Sequence, residues 1–136
     1  MTEELVPTRP FDYAPAPESQ EIVTIEERYG LFVGGRWLEP SETYTTINPA
    51  TEEPLAVIAQ AGAPEVDLAV QAARAAFEDG WPALRPAERA KYLFRIARIL
   101  QERAREFAVL ESLNGGKPIK ESRDVDLPLA AAHFFY

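Results

Sequence analysis

Cysteine is absent from the 136 residues. That gap removes disulfides, zinc-thiolate clusters, thioredoxin-like redox work and thiol nucleophilic catalysis together. Positive charge is also scarce: 14 Lys+Arg stand against 22 Asp+Glu, a formal net charge of -8. Such a balance disfavours a nucleic-acid backbone or an anionic membrane surface as partner. No apolar run approaches the roughly 18–20 residues that a membrane span requires. The opening MTEELVPTRPFDYAPAPESQ lacks the basic start and apolar stretch of a signal peptide. A cytoplasmic protein with no nucleic-acid or membrane partner is expected. What remains is ordinary globular material, 46% hydrophobic and 26% charged, of about one domain's length.

Proline, by contrast, is concentrated at the front. Pro7, Pro10, Pro15 and Pro17 fall among acids and alanines with no helix or strand period, so residues 1–21 read as a disordered, extended tail and 22–136 as the folded segment. Leu31-Phe32-Val33 and Arg36-Trp37-Leu38 flank Gly34-Gly35, which predicts a β-hairpin with positive φ at both turn positions. Thr43 to Ile47 is a β-branched run stopped by Asn48-Pro49, and Leu55 to Ala59 reads as a further strand. At Gly62 the apolar period lengthens to that of a helix, which opens with Pro64, Glu65 and Asp67, carries Val66, Ala69, Val70, Ala73 and Phe77, and ends at Gly80. A second helix opens at Pro86 and runs as one long amphipathic rod to Leu113, where Asn114-Gly115-Gly116 supplies left-handed termination. A third is expected over Ile119 to Tyr136, kinked or divided by Pro128. The fold class is therefore α/β: an N-terminal β-hairpin and short strands, then two to three helices. The clustered alanines of the first helix (Ala69, Ala72, Ala73, Ala75, Ala76) imply close approach of another backbone, and the sequence stops among Phe134, Phe135 and Tyr136 without a terminator. A packing partner from outside these residues is expected.

Residues that invite a chemical reading mostly resolve into structure. Gly116-Lys117 lacks the Gly at 111 and the Ser or Thr at 118 that a phosphate loop needs, those positions being Glu111 and Pro118. The glycines assemble no G-x-G-x-x-G turn. His133 is the sole histidine and has no Ser, Cys or carboxylate pattern around it, so it takes no catalytic role. Glu121, Asp124 and Asp126, with Arg123 among them, read as a solvated first turn rather than an acid-base or metal cluster. Arg89, Lys91, Arg95, Arg98, Arg103 and Arg105 alternate with Glu88, Glu102 and Glu106, the pattern of ion pairs along a helix face. Trp37 and Trp81 each adjoin turns and are expected to anchor loops on the core.

Leu31 to Trp37, Ile47-Asn48-Pro49-Ala50-Thr51, Val66 through Phe77 with Trp81, and Glu111-Ser112-Leu113-Asn114-Gly115-Gly116-Lys117-Pro118 followed by Asp124-Val125-Asp126 and Phe134-Phe135-Tyr136 resemble, in order, the opening portion of the aldehyde dehydrogenase superfamily. The resemblance covers roughly Ile22 to Tyr136. It implies an outer part of the cofactor-binding domain, with the helices packed on a sheet this chain does not contain. Members of that superfamily oxidise aldehydes to acids with NAD or NADP, using a cysteine thiolate, an oxyanion-stabilising asparagine, a glutamate-activated water and a Rossmann-like cofactor domain. All of these follow the matched portion, so the resemblance implies no catalytic residue, and no NAD or NADP is expected to bind this chain alone. It further implies that Val125 and Leu129 line the aldehyde tunnel. It also implies a monovalent cation held by the backbone oxygens of Thr46 and Ile47 with the side chain at Asn114, where Asn stands in place of the family's Asp. The expectation is an N-terminal fragment of an NAD(P)-dependent aldehyde dehydrogenase, inactive alone, whose partner is the remainder of the enzyme or a companion chain. The alternative is a small non-catalytic interaction module that docks on a partner or associates with itself through an uncovered apolar face.

Overall fold

The computed structural model describes residues 18–136. The expected tail lies outside the described residues as far as residue 17. A 3-10 turn over Gln20–Ile22 follows, capped by Ser19, whose Oγ accepts the Glu21 N–H at 3.2 Å. The first strands are β1 (Arg28–Tyr29), β2 (Leu31–Val33) and β3 (Arg36–Leu38). Strands β2 and β3 pair antiparallel, Leu31 with Leu38, Phe32 with Trp37 and Val33 with Arg36. Gly34 and Gly35 take φ of 58° and 79°. Two consecutive positive-φ residues match the right-handed twist of the strands they join, which is why Gly-Gly was legible as a hairpin.

Strands β4 (Glu42–Ile47) and β5 (Pro54–Gln60) are antiparallel, and β1 joins the other edge of β5 in parallel, giving the order β1-β5-β4. The turn between β4 and β5 is organised by Asn48, a buried polar residue. Its Oδ1 accepts the Ala50 N–H at 2.9 Å, its own N–H donates to the Glu53 carbonyl at 2.9 Å, and Glu52 adopts a positive φ of 61°. Asparagine thus replaces backbone partners that the turn cannot supply.

Helix α1 (Ala63–Glu78) begins as expected at Gly62-Ala63-Pro64 and ends before Gly80. The single long helix expected from Pro86 to Leu113 is instead two, α2 (Pro86–Glu102) and α3 (Ala104–Gly115). They meet at Arg103, whose φ of -105° and ψ of 17° depart from helical values; its N–H donates back to the Ile99 carbonyl and its carbonyl accepts the Phe107 N–H. This is a kink, and apolar spacing that continues through it conceals it. The segment after Pro118 also differs in detail: α4 (Ile119–Glu121), a π turn (Ser122–Asp126) and α5 (Leu127–Phe135) follow one another without a loop. Pro128 sits in the first turn of α5. Its ring offers no N–H and crowds the preceding turn, and the wider π turn, closed by Leu127 N–H donating to the Ser122 carbonyl, relieves both.

Helix α2 packs on α5, and α3 packs on the π turn and α5. The buried apolar residues are Ala56 and Ala59 on β5, Ala97 on α2, Ala108 and Val109 on α3, and Ala131 on α5. No leucine, isoleucine, phenylalanine, tyrosine or tryptophan among the described residues is buried. Helix α1 touches the β2–β3 hairpin and buries nothing.

Candidate functional site

Strand β4 and helix α3 bring together two residues 68 positions apart in sequence. The Thr46 hydroxyl donates to Asn114 Oδ1 at 2.6 Å. Ile47 follows immediately, where the β4–β5 register shifts between Thr46 and Ile47. Asn114 is presented by the last turn of α3, which stops at Gly116 with φ 70°. A Cβ at Gly116 would stand 2.8 Å from Pro49 Cγ, so this helix end and the Asn48-Pro49 turn fit only with glycine between them. The three expected cation-site residues are thus gathered at one place. Their donors are neutral oxygens, a set that suits a weakly held monovalent ion and not a divalent one. Among the described residues no group of three or more acidic, histidine or cysteine side chains could hold a metal.

The same pair closes one end of a groove of about 430 Å³ between the sheet and α3, walled by Ile25, Tyr29, Tyr44, Leu55, Phe107 and Leu110, with Glu111 also lining it. The groove was not legible in the sequence. Its walls come from the strands, the segment before β1 and one face of α3, and only tertiary packing joins them.

Val125 in the π turn and Leu129 in α5 lie on one side of the helical segment, 56% and 53% exposed. Flanking charges are mutually neutralised. Lys117 Nζ donates to Asp126, and that hydrogen bond holds the lysine above its ordinary pKa. Arg123 Nε and Nη2 donate to Asp124 Oδ1 and Oδ2 at 2.6 and 2.9 Å, holding the aspartate below the usual range. Two of the three clustered acids therefore already have cations, within a partly buried π turn and not in a helix's first turn. Gly116-Lys117 is a helix cap and an ion-pair donor, with no resemblance to a phosphate loop. His133 lies exposed in the last turn of α5.

The expected helix-face ion pairs are present as Lys91 with Glu88 at 2.9 Å and Arg103 with Glu106 at 2.7 Å. Trp37 departs from the expectation. It is 70% exposed and packs at a tilt on Phe32, its exposed cross-strand partner, at 5.1 Å. Trp81 also departs from it: it packs on Tyr92 of α2 at 5.9 Å, and both are exposed, so it joins its turn to a helix face and not to the core.

A dinucleotide would need free backbone N–H groups at the strand-to-helix step that follows β5. That step is closed. Glu65 Oε2 accepts the Gly62 N–H at 2.9 Å and Oε1 accepts the Ser41 hydroxyl at 2.9 Å. Hydrogen bonds from its own backbone, from Ser41 and from Gly62 hold the Glu65 carboxyl below its ordinary pKa. A carboxylate of this chain therefore occupies the N-terminus of α1, where an anionic ligand would otherwise sit.

The model of the aldehyde dehydrogenase family matches residues 37–136. A putative aldehyde dehydrogenase, DhaS, of Bacillus subtilis is 40% identical over 109 residues, which are 78% of this chain and 22% of that protein. A fluoroacetaldehyde dehydrogenase of Streptantibioticus cattleyicolor is 40% identical over 117 residues, 85% of this chain and 23% of that protein. The NAD+ complex of an aldehyde dehydrogenase from Bacillus cereus superposes with a TM-score of 0.78 at 36% identity, covering 82% of this chain and 23% of that one. The chain thus spans between a fifth and a quarter of the length of the curated relatives it matches.

Proposed function

The chain belongs to the aldehyde dehydrogenase family, corresponding to its N-terminal part, and from that premise we propose that it forms the outer layer of the cofactor-binding domain of a cytoplasmic NAD(P)-dependent enzyme that oxidises an aldehyde to a carboxylic acid. By itself it performs no step of that reaction. One observation carries this reading: the core is built of five alanines and a valine, while Val66, Leu68, Val70 and Phe77 on α1 and Tyr92, Leu93, Phe94, Ile96 and Ile99 on α2 stand exposed. Surface of that kind is stable only when another layer covers it. The partner is the remainder of the enzyme, in the same or a companion chain. Two chains of charge -8 repel each other, which makes self-association the weaker way of covering these faces.

The contribution of these residues is to position and to exclude. Val125 and Leu129 present apolar side chains that would wall the aldehyde's approach and favour a hydrophobic substrate. Thr46, Ile47 and Asn114 would hold a monovalent cation at the end of β4. The nucleophile belongs to the uncovered part of the family's sequence, because a chain without cysteine has no thiolate to attack a carbonyl.

The test is aldehyde-dependent NADH formation, measured on the purified chain and again after co-expression with the remaining portion of a relative. The expected result is no turnover alone and turnover on complementation. Turnover by the 136 residues alone would overturn the reading. A compact monomer with one sharp melt that no complement rescues would favour the independent interaction module.

A further inference from the structure

The start of α3 carries an electrostatic problem. Arg103 and Arg105 stand where the helix dipole is positive. Arg103 is answered locally by Glu106 at 2.7 Å. Arg105 is answered from 87 residues away: its Nε and Nη2 donate to Glu18 Oε2 at 2.8 and 2.6 Å. Arg123 Nη1 stands 3.5 Å from the other carboxylate oxygen, and the Glu18 side chain is only 7% exposed. A carboxylate so enclosed needs both guanidinium groups.

Beyond Glu18 the chain runs along α3. Ile22 and Val23 lie over Arg103, Glu106, Phe107 and Leu110, and Ile25 and Tyr29 wall the groove that ends at Thr46 and Asn114. The far end is secured where β1 pairs with β5 and Val57 N–H donates to the Glu27 carbonyl at 2.9 Å. Between these points, among the described residues, 19–26 give no backbone–backbone hydrogen bond to another element, and the bonds from Glu21 N–H to Ser19 Oγ and from Glu26 N–H to Tyr29 Oη stay within residues 18–29.

We propose that Glu18 is an electrostatic latch that holds residues 18–29 as a strap across α3, closing one wall of the groove, and that joins this strap through Arg123 to the π turn bearing Val125. With the latch closed, Ile22 and Val23 stand beside Phe107, which is half-buried, and Leu110, which stays 38% exposed. With it open, residues 19–26 retain only apolar contacts and peel back towards Glu27, so the groove becomes an open face. Arg123 then keeps only Asp124.

Amide hydrogen exchange on the 136-residue chain tests the latch. Glu18→Gln is expected to accelerate exchange at Val23 and Glu26 by about tenfold or more, the scale of one lost charge-assisted hydrogen bond, with β4 and β5 amides unchanged. Raising NaCl from about 0.05 to about 1 M should produce a smaller acceleration of the same amides in the unaltered chain and none in Glu18→Gln. Arg105→Gln should accelerate the same amides, and adding it to Glu18→Gln should accelerate them little further, which separates a latch from general loss of structure. Strap amides that exchange equally in the unaltered and Glu18→Gln chains would overturn the proposal. So would acceleration spread evenly over all elements, or exchange indifferent to salt.

Discussion

Helix α1 and the layer made by α2, α3 and α5 are both rich in alanine, yet the layer buries Ala97, Ala108, Val109 and Ala131 while α1 buries nothing. Their local signals are equally good. Helix α1 has proline in its first turn and a carboxylate capping Gly62, and α2 likewise opens on proline. The difference lies in what faces them: α2 meets α5, and α3 meets the π turn and α5, whereas the main partner of α1 is the short strand β2. Helix formation is thus encoded locally, but burial requires an opposing surface, and small residues mark where a backbone comes close whether or not these residues supply it.

That contrast can be broken in stages. The largest effect is expected at the C-terminal cap of α3, in the packed layer. Gly116→Ala combines a left-handed φ of 70° with a Cβ only 2.8 Å from Pro49 Cγ. It should lower stability by about 2–4 kcal/mol, read as a shift of the urea midpoint without a change of slope. Next, Ala108→Leu in the packed layer should cost about 1–3 kcal/mol by overpacking, whereas Ala75→Leu on α1 should change stability by less than about 0.5 kcal/mol. Equal costs at the two sites would erase the distinction. Thr46→Val, which leaves Asn114 Oδ1 without its donor, should cost about 1 kcal/mol. The smallest effect concerns pH. Because Glu65 has a lowered pKa in the fold, its contribution to α1 is present above the ordinary glutamate range and is lost as pH falls through the lowered value. Helical circular dichroism from α1 should fade in that acid window, and Glu65→Gln should flatten the dependence.

How much of this was legible in the sequence varies with the range of the interaction. The hairpin was, because two glycines specify its turn. Strands β4 and β5 were, within a residue or so at each end, because β-branched runs stop at Asn48-Pro49 and Gly62. The joint at Arg103 was not, since the apolar spacing passes through it unbroken. The π turn was visible only as trouble expected at Pro128. The meeting of Thr46 with Asn114 and of Glu18 with Arg105 spans 68 and 87 residues. No local period encodes such pairs: the first was named only through family resemblance, and the second was missed. Asn48 was read as a strand stop, and its role in holding the turn emerged only from its hydrogen bonds. The capping role of Glu65 had a readable signal, an acid three residues after Gly62 at a helix start.

Calorimetry of the purified chain tests the central claim most directly. A self-sufficient domain with about as many residues as are described here absorbs about 80 kcal/mol on unfolding near 60 °C. An alanine core with its large apolar side chains exposed predicts a broad transition with less than about half that heat, sharpened when the rest of the enzyme is supplied. One sharp transition with the full heat, from the chain alone, would contradict it.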